Sequence, residues 1–209
     1  MATKLFLRNT TTNGITGSGV IYYDMVTAAG SSSVTNVVDS VASGTEIQWT
    51  QETTSDVEVQ WITGRAPVGG FTLTTTDISV WCHESGTGVN AGGRYRLFKR
   101  TVLGIETELL GGPFDDGVEF TKTTPTEMTW TGNPTDTAFV EDDRLLLKLY
   151  ITNVGVMGNG TCTLTFNAAD AATGDSFLNL AETIVFKPEE VTGGWGEFLK
   201  GKRNVRVIA

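Results

Sequence analysis

The sequence contains few of the residues from which catalytic and metal centres are built. Its 209 residues include one histidine, His83, and two cysteines, Cys82 and Cys162. Zinc sites need clustered histidine and cysteine side chains, and nucleophilic sites of the Ser-His or Cys-His type need a histidine base. The composition therefore argues against both kinds of site and leaves His83 as the one residue that such chemistry would need.

Long apolar runs are also missing. No segment approaches the roughly 20 consecutive apolar residues of a membrane span, and residues 1–8 lack the apolar core of a signal peptide. The formal net charge of −9 and the sequence pI near 4.6 disfavour sequence-independent binding to nucleic acid, which depends on neutralising phosphates. We therefore expect synthesis in a cytoplasm, no membrane partner and no nucleic-acid partner.

Helical periodicity is absent as well, and alternation of apolar and polar residues takes its place. The clearest case is the stretch from Asp142 to Phe166, in which two alternating runs flank a glycine-rich connection. Alternation at every second residue is typical of a strand with one buried face. The pattern predicts an antiparallel hairpin that lies centrally in a sheet. Its buried face is expected to carry Leu145, Leu147, Leu149, Ile151, Cys162, Leu164 and Phe166.

The rest of the chain repeats this pattern in short segments separated by turn signals. About ten to twelve such strands without helices predict an all-β, antiparallel two-sheet sandwich, and a jelly-roll-like arrangement is the first choice. One domain, residues 1–187, accommodates them, because β-sandwiches of this length often form a single domain. Besides the hairpin, the strand candidates are 5–8, 20–23, 46–50, 57–61, 71–83, 94–100, 105–110, 118–123, 126–131, 176–180 and 182–187.

The last residues of the chain differ in kind from this domain. Residues 188–209 begin with a proline, continue through glycines and end in a basic and apolar stretch, so they predict an extended C-terminal arm. Large apolar side chains outside a core normally contact a partner, and positive charge on an acidic protein suits an acidic neighbouring subunit. The predicted contact residues are Trp195, Phe198, Leu199, Lys200, Lys202, Arg203 and Arg206.

His83 and the two cysteines are the candidates for nucleophilic or metal chemistry. The residues around His83 follow no nucleophile-elbow pattern, so an ordinary histidine near a strand end is the favoured interpretation. Cys82 and His83 are adjacent, but Cys162 is distant in sequence, which is a poor pattern for zinc. Both cysteines lie in strand-like runs and are predicted to be buried apolar side chains. Whether they form a disulfide stays open.

Acidic residues cluster in three predicted turns, at 115–116, 141–143 and 170–175. Paired carboxylates can bind Ca²⁺ or hydrolyse glycosides. None of the clusters follows the EF-hand loop, and aspartate is common in turns because it hydrogen-bonds the backbone there. The sequence also lacks the common glycine-rich phosphate loops. We therefore assign no catalytic residue, no cofactor and no metal ligand, with calcium as an open alternative.

Five tryptophans and a basic strip are the remaining candidates for binding. Tryptophans on one face of a sandwich can stack on sugar rings, but four of the five lie in alternating strands, where burial in the core is favoured. The basic strip is interpreted as a solvated or subunit-contact surface of one strand. The residues concerned are Trp49, Trp61, Trp81, Trp130 and Trp195, and Arg94, Arg96, Lys99 and Arg100.

Four short motifs resemble those of β-sandwich structural proteins of tailed bacteriophage particles. They are spread over residues 1–187 and do not include the arm. The resemblance implies a virion component, such as a capsid decoration (cement) protein or a protein associated with the tail or its fibres. The motifs are Met1–Leu7, Gly93–Lys99, Glu141–Lys148 and Gly174–Phe177.

These features together predict a non-enzymatic phage virion structural protein. Its preferred role is capsid decoration on the particle surface as a homo-oligomer, with a trimer as the favoured number. Other virion proteins, such as the major capsid protein, are the expected partners. The alternative is a module of the tail or fibre that binds a host receptor or a glycan. An enzyme is the third hypothesis and would require two carboxylates facing each other in a deep cleft.

Overall fold

The protein is built from β-strands throughout the residues that the computed structural model describes. These are residues 2–11, 15, 22–27, 34–41, 59–84, 91–112, 117–121, 124, 126–135, 138–153, 160–166 and 176–187. Within them there is no helix, and so none that could span a membrane. The all-β class is therefore confirmed. The thirteen strands are β1 (Thr3–Thr11), β2 (Tyr23–Val26), β3 (Val34–Val41), β4 (Val59–Ile62), β5 (Phe71–Thr72), β6 (Thr76–Glu84), β7 (Ala91–Arg100), β8 (Glu106–Glu108), β9 (Thr126–Gly132), β10 (Ala138–Phe139), β11 (Arg144–Asn153), β12 (Gly160–Phe166) and β13 (Phe177–Leu180).

Eleven of these strands form one large, curled sheet. Its order is β3-β12-β6-β13-β1-β2-β4-β11-β7-β8, with β9 paired to β6, while β5 and β10 form a small second sheet. Most pairs are antiparallel, but β2 and β4 run parallel. The prediction of purely antiparallel pairing is therefore wrong. A parallel pair needs a crossover of a dozen or more residues, and residues 27–58, which include β3, lie between these two strands.

The two runs predicted to form a central hairpin are both strands, but they do not pair with each other. β11 lies between β4 and β7, whereas β12 lies between β3 and β6. Alternation along a strand specifies which of its faces is buried. It does not specify the neighbour, because any strand with a matching apolar face can satisfy that pattern. The hairpin prediction is therefore wrong.

β11 carries buried side chains on both of its faces. Leu145, Leu147 and Leu149 belong to the main core, as their alternation predicted. Leu146 points to the opposite face and is also fully buried. The sequence of a strand that is covered on both faces is a continuous apolar run rather than an alternating pattern. The second cluster around Leu146 contains Tyr22, Ile62 and Phe98, with Ile15 packed against it.

Strands that are far apart in the sheet order meet through the main core. The rings of Tyr95 on β7 and Trp130 on β9 have centroids 6.2 Å apart. Gly93, two residues before Tyr95, leaves room for this contact, since a Cβ atom there would overlap the indole ring of Trp130. Buried aromatic pairs of this kind contribute strongly to core stability. The curl of the sheet thus brings its β6–β9 part against its β7–β11 part.

An irregular segment, residues 181–187, crosses one end of the sheet and is called the strap below. The predicted final strand is wrong, because the strap makes one isolated bridge, between Arg65 and Lys187, instead of a ladder. Thr3 holds its beginning: its N–H and hydroxyl donate to the Glu182 carbonyl at 3.0 and 2.8 Å. At the other end the Lys187 N–H donates to the Arg65 carbonyl at 2.8 Å. The strap therefore runs from β1 to the residues that follow β4.

Replacing Gly93 with alanine is expected to destabilise the protein by about 1–3 kcal/mol, the usual cost of overpacking a core. The added methyl group would overlap the Trp130 ring, which already packs against Tyr95. The change is measured as a shift of the midpoint of urea unfolding at constant slope.

The double variant Gly93→Ala/Trp130→Phe provides the control, because the smaller ring makes room for the methyl group. We expect the two substitutions together to cost less than the sum of their separate costs, by about 1 kcal/mol. Strictly additive costs would show that Trp130 is not what restricts position 93.

Candidate binding pocket

A pocket of about 320 Å³ opens between β2, the residues after β4 and the strap. This volume lies at the lower end of the range for small-molecule sites. Apolar and polar residues both line it. The apolar ones are the more exposed Val26, Val185 and Phe186 and the almost fully buried Met25, Ile62 and Ile184, and the polar ones are Asp24, Thr27, Thr63 and Lys187.

The pocket exists because the two parallel strands separate. β2 and β4 are paired over two residues only. Beyond them, Met25 stays opposite Leu7 of β1, whereas the Thr63 N–H donates to the Leu145 carbonyl of β11 at 3.0 Å. The strap closes the resulting gap. Parallel pairing and an irregular crossing segment therefore create the cavity jointly.

An ionic cluster holds the far end of the strap. This cluster, called the latch below, consists of Arg65, Glu141, Asp142 and Lys187. Lys187 Nζ donates to Asp142 Oδ1 at 3.0 Å and also to Glu141, and Arg65 Nη1 lies 3.9 Å from Asp142 Oδ1. The hydrogen bonds to Glu141 and then Asp142 raise the pKa of Lys187 above its ordinary value. The charged lysine thus ties the strap to the turn before β11.

Asp142 has a left-handed backbone conformation, with a φ of 69°. This region is uncommon outside glycine, although aspartate tolerates it better than most residues. The turn is closed by the Asp143 N–H, which donates to the Val140 carbonyl at 3.1 Å, and by Asp143 Oδ2, which accepts from the Val140 N–H at 3.0 Å. A glycine at position 142 would relieve the backbone but would remove the carboxylate that Lys187 binds.

A second charged cluster lies on the outer face of β7, β8 and β11, centred on Glu106. Its carboxylate accepts hydrogen bonds from Arg100 Nη1 at 3.0 Å, from Lys148 Nζ at 2.6 Å and from the Tyr22 hydroxyl at 3.4 Å. Desolvation by burial is the main cause that raises the pKa of Tyr22 above its ordinary value. Glu106 thus neutralises two cations that would otherwise lie half-buried without a counter-charge.

Arg96 continues this cluster along the same face. Its Nε donates to Glu108 at 2.7 Å, and this side-chain pairing raises the pKa of Arg96. The guanidinium of Arg96 and the ammonium of Lys148 also lie over the Phe98 ring, 5.0 and 4.3 Å from its centroid. The basic strip was predicted to be a solvated or subunit-contact surface. Arg96 and Arg100 are bound to carboxylates of the same chain, so the solvated interpretation is wrong for these two.

The structure separates the residues considered for nucleophilic or metal chemistry. Cys82 is buried in the main core, and the side chain of His83 lies on the opposite face because neighbouring residues of a strand alternate. The two cannot bind one zinc ion from opposite faces. Ser79, on the same face as His83 but about 13 Å along the strand, donates to Glu127. Cys162 lies opposite Glu84 in the register, not opposite Cys82.

The predicted acidic clusters have different outcomes. Residues 141–143 form the turn that supplies Glu141 and Asp142 to the latch. Lys187 binds these two carboxylates, and the Val140 N–H donates to the carboxylate of Asp143. Residues 115–116 and 170–175 lie outside the described residues. In the described ranges, no three His, Cys, Asp or Glu side chains are grouped so that they could hold a metal ion.

The structure describes three of the five tryptophans and no residue of the predicted arm. Trp61 and Trp130 are buried in the main core, which confirms the preferred interpretation for these two, and Trp61 Nε1 donates to the Arg8 carbonyl at 3.0 Å. Trp81 is half-buried on β6. Two tryptophans and the arm, residues 188–209, lie outside the described residues, so the arm and the domain boundary at 187 stay predictions. The residues outside are Trp49, Trp195, Phe198, Leu199, Lys200, Lys202, Arg203 and Arg206.

Comparison with known proteins identifies the fold but no family. No family model matches the chain, and no curated protein matches it. Two crystal structures of a CocE/NonD family hydrolase from Staphylococcus aureus match with TM-scores of 0.51 and 0.52 at 10% and 12% identity. An aminopeptidase from a marine sediment archaeon, Thaumarchaeota archaeon, matches with a TM-score of 0.50 at 8% identity. Each match covers 86% of this chain and 36% of the other chain, so this chain spans about a third of their length.

These neighbours contradict the function expected from the sequence. We predicted a non-enzymatic virion protein that decorates the capsid, or a receptor- or glycan-binding tail module, because catalytic residue types are scarce. The fold occurs in hydrolases, so that scarcity does not set the chain apart from enzymes, and both the virion function and the non-enzymatic class are corrected. At such low identity the likeness concerns the fold alone. The phage resemblance, the particle-surface location, the trimer and the virion partners stay predictions, since no match tests them.

Sequence reasoning missed the pocket. Its walls come from three segments that are far apart in the chain, near residues 24–27, 62–64 and 184–187. Two of these segments belong to the parallel strands β2 and β4 and the residues that follow them. Alternation cannot reveal this arrangement, because the alternating pattern is the same for parallel and antiparallel neighbours. The one local signal was Lys187 directly before a proline, with three acidic residues at 141–143 as its counterpart.

Replacing Lys187 with methionine is expected to loosen the strap. The aliphatic part of the side chain is kept, but the two carboxylates of the latch lose the ammonium group, and the backbone hydrogen bond to Arg65 remains. Native-state hydrogen exchange should become roughly threefold faster at the strap amides, as for the loss of an exposed ion pair.

Lys99→Met is the matched control, because Lys99 Nζ donates to the Ala138 carbonyl at 3.2 Å and does not belong to the latch. Its strap amides should exchange at the wild-type rate. Equal rates in all three proteins would show that the latch does not hold the strap.

Replacing Glu106 with glutamine is expected to cost about 2 kcal/mol of stability, because Arg100 and Lys148 are left half-buried without a carboxylate. Glu141→Gln is the control: its carboxylate is 48% exposed, so its cost should stay below about 1 kcal/mol. Urea unfolding measures both. Equal costs would contradict a central role for Glu106 on the outer face.

Proposed function

We propose that this chain is a β-sandwich module of a hydrolytic enzyme assembly, and that its pocket binds an apolar group of the substrate beside a cation. The observation that carries the proposal is the match of 86% of this chain to about a third of hydrolase chains. A unit that corresponds to one part of such enzymes is expected to work together with a counterpart of the remaining part, on the same chain or on another.

The contacts across the core support a two-layer sandwich rather than an open curved sheet. Tyr95 and Trp130 come from strands that are not neighbours in the sheet order, yet their rings pack together. Gly132 on β9 approaches the same region, since a Cβ atom there would lie 2.5 Å from the Tyr95 hydroxyl. Two sheet regions that share one core in this way form the layers of a sandwich. A jelly-roll-like strand order remains part of this proposal.

The chemistry of the pocket indicates what it would bind. Val26, Val185 and Phe186 provide an apolar wall in front of the buried Met25, Ile62 and Ile184, which favours an aliphatic or aromatic group. Asp24 lies on this wall, and the latch beside it holds two carboxylates and two cations. A carboxylate next to an apolar wall suits a ligand that carries a cation beside an apolar group.

An aminoacyl amide or ester with a free amino group has both features. The ammonium group would lie near Asp24, and the apolar side chain would contact the wall. One of the neighbours is an aminopeptidase, which agrees with this class of substrate. The proposal assigns the pocket a role in binding, and the bond-breaking step belongs to the assembly as a whole.

The test is to purify the tagged full chain from its native source, together with whatever binds it, and to assay hydrolysis of phenylalanine p-nitroanilide and p-nitrophenyl butyrate. We expect hydrolytic activity to co-elute with the chain at constant specific activity. Recovery of the chain in particles that hold hundreds of copies, without hydrolytic activity, would overturn the proposal.

Substitutions in the same assembly test the pocket itself. Thr27→Phe places a ring at the pocket wall and should raise KM about tenfold, the cost of losing one well-filled subsite. Thr107→Phe, the same change at an exposed position of β8, is the control and should leave KM unchanged. Equal KM values for both variants would exclude the pocket while leaving the hydrolase module in place.

A further inference from the structure

The two halves of the strap are held by different kinds of contact, and the first half, residues 181–184, is held firmly. The Ile184 N–H donates to the Thr3 hydroxyl at 2.7 Å, and both groups are buried. The Glu182 carboxylate accepts hydrogen bonds from the backbone N–H and the hydroxyl of Thr74 at 2.7 and 2.5 Å. The side chain of Ile184 belongs to the main core. Hydrogen bonds in such buried surroundings are rarely broken without wider unfolding.

The second half of the strap has fewer and more exposed bonds. The structure shows no hydrogen bond from Val185 or Phe186 to another described residue, and Val185 is 78% exposed. Lys187 makes one backbone hydrogen bond, to Arg65, and otherwise depends on the latch. In the latch, the side chains of Lys187 and Glu141 are 27% and 48% exposed. Exposed ion pairs are weak because water competes for both partners.

Packing nevertheless gives this second half a defined resting position. The ring of Phe186 meets the ring of Phe71 edge-on, with centroids 5.7 Å apart, and Phe71 stacks on Phe139 at 4.4 Å. The backbone also lies directly on Gly64, since a Cβ atom there would be 2.5 Å from the Lys187 carbonyl oxygen. Phe186 remains only half-buried. The resting position therefore depends on one ring contact, one backbone bond and the latch.

The strap forms one side of the pocket, through residues 184–187, and the other sides are strands. Met25 and Ile62 lie on those other sides and are each 1% exposed. Met25 is part of the ladder between β1 and β2, and Ile62 is part of the ladder between β4 and β11. A ligand group that is to contact these two side chains fully needs one side of the pocket to move. Residues 185–187 are the side with the fewest bonds.

We propose that residues 185–187 form a gate, which swings away from the pocket about Val185 while residues 181–184 stay in place. In the open state Phe186 leaves Phe71, Lys187 leaves the latch, and an apolar ligand group reaches Met25. A ligand that needs the open state binds more weakly in proportion to the time that the gate is closed. The class of ligand rests on the proposed function, whereas the movement of the gate does not.

Native-state hydrogen exchange of the wild-type chain tests the movement without a ligand. The Lys187 amide, bonded to Arg65, reports on the gate, and the Ile184 amide, bonded to Thr3, reports on the fixed half. We expect the protection factor of the Lys187 amide to be at least about tenfold lower than that of the Ile184 amide, because the gate opens separately. Equal protection factors would overturn the proposal, since the strap would then open only as one piece.

The double variant Arg65→Cys/Lys187→Cys tests the link between the gate and binding. The two residues are partners in an antiparallel bridge, so their Cα atoms lie about 4.5–5.5 Å apart, a separation that a disulfide spans. Oxidation locks the gate and reduction frees it in the same protein, which is therefore its own control.

With phenylalaninamide as the probe in an NMR titration, we expect chemical shifts of Met25 and Ile62 to change in the reduced form. The dissociation constant should be at least about tenfold higher in the oxidised form. Equal constants in the two forms would overturn the gate. Unchanged shifts at every pocket residue in both forms would contradict the proposed binding function instead, and the hydrogen-exchange comparison would then decide on the gate by itself.

Discussion

The packing of Trp130 against Tyr95 above Gly93 is the contact on which the rest of the structure depends. It joins strands that lie in separate parts of one large sheet, and so it keeps the sheet curled over a single core. A curled sheet has two ends at which loops from many strands gather. The pocket and the latch both lie at the end where β7 finishes and β11 begins, and their positions follow from this curl.

At this same end, a well hydrogen-bonded backbone lies next to exposed side chains. β2 and β4 separate after two paired residues, and the strap crosses the gap, held at its beginning by Thr3 and at its far end by the latch. Asp142 keeps a left-handed backbone in order to present its carboxylate to Lys187. Next to this tightly bonded region lie six exposed aliphatic side chains. The cavity thus lies on a rigid support, which is how binding sites are usually positioned.

The sequence could predict the strands but not their neighbours. Alternation identified the buried face of Leu145, Leu147 and Leu149, because burial of one face repeats at every second residue. It could not show that β11 and β12 are separated in the sheet, nor that β2 runs parallel to β4, because pairing depends on contacts between distant segments. The pocket could not be predicted from the sequence for the same reason. The functional class was wrong because scarcity of histidine and cysteine was taken to disfavour an enzyme, while the fold is shared with hydrolases.

The claim that the end pocket binds an apolar group beside a cation is tested most directly by NMR titration of the chain alone. With phenylalaninamide as the probe, we predict that chemical shifts change at Val26, Val185 and Phe186, and that N-acetyl-phenylalaninamide, which lacks the ammonium group, causes much smaller changes at equal concentration. Unchanged chemical shifts at these residues, or equal shift changes with both compounds, would contradict this claim.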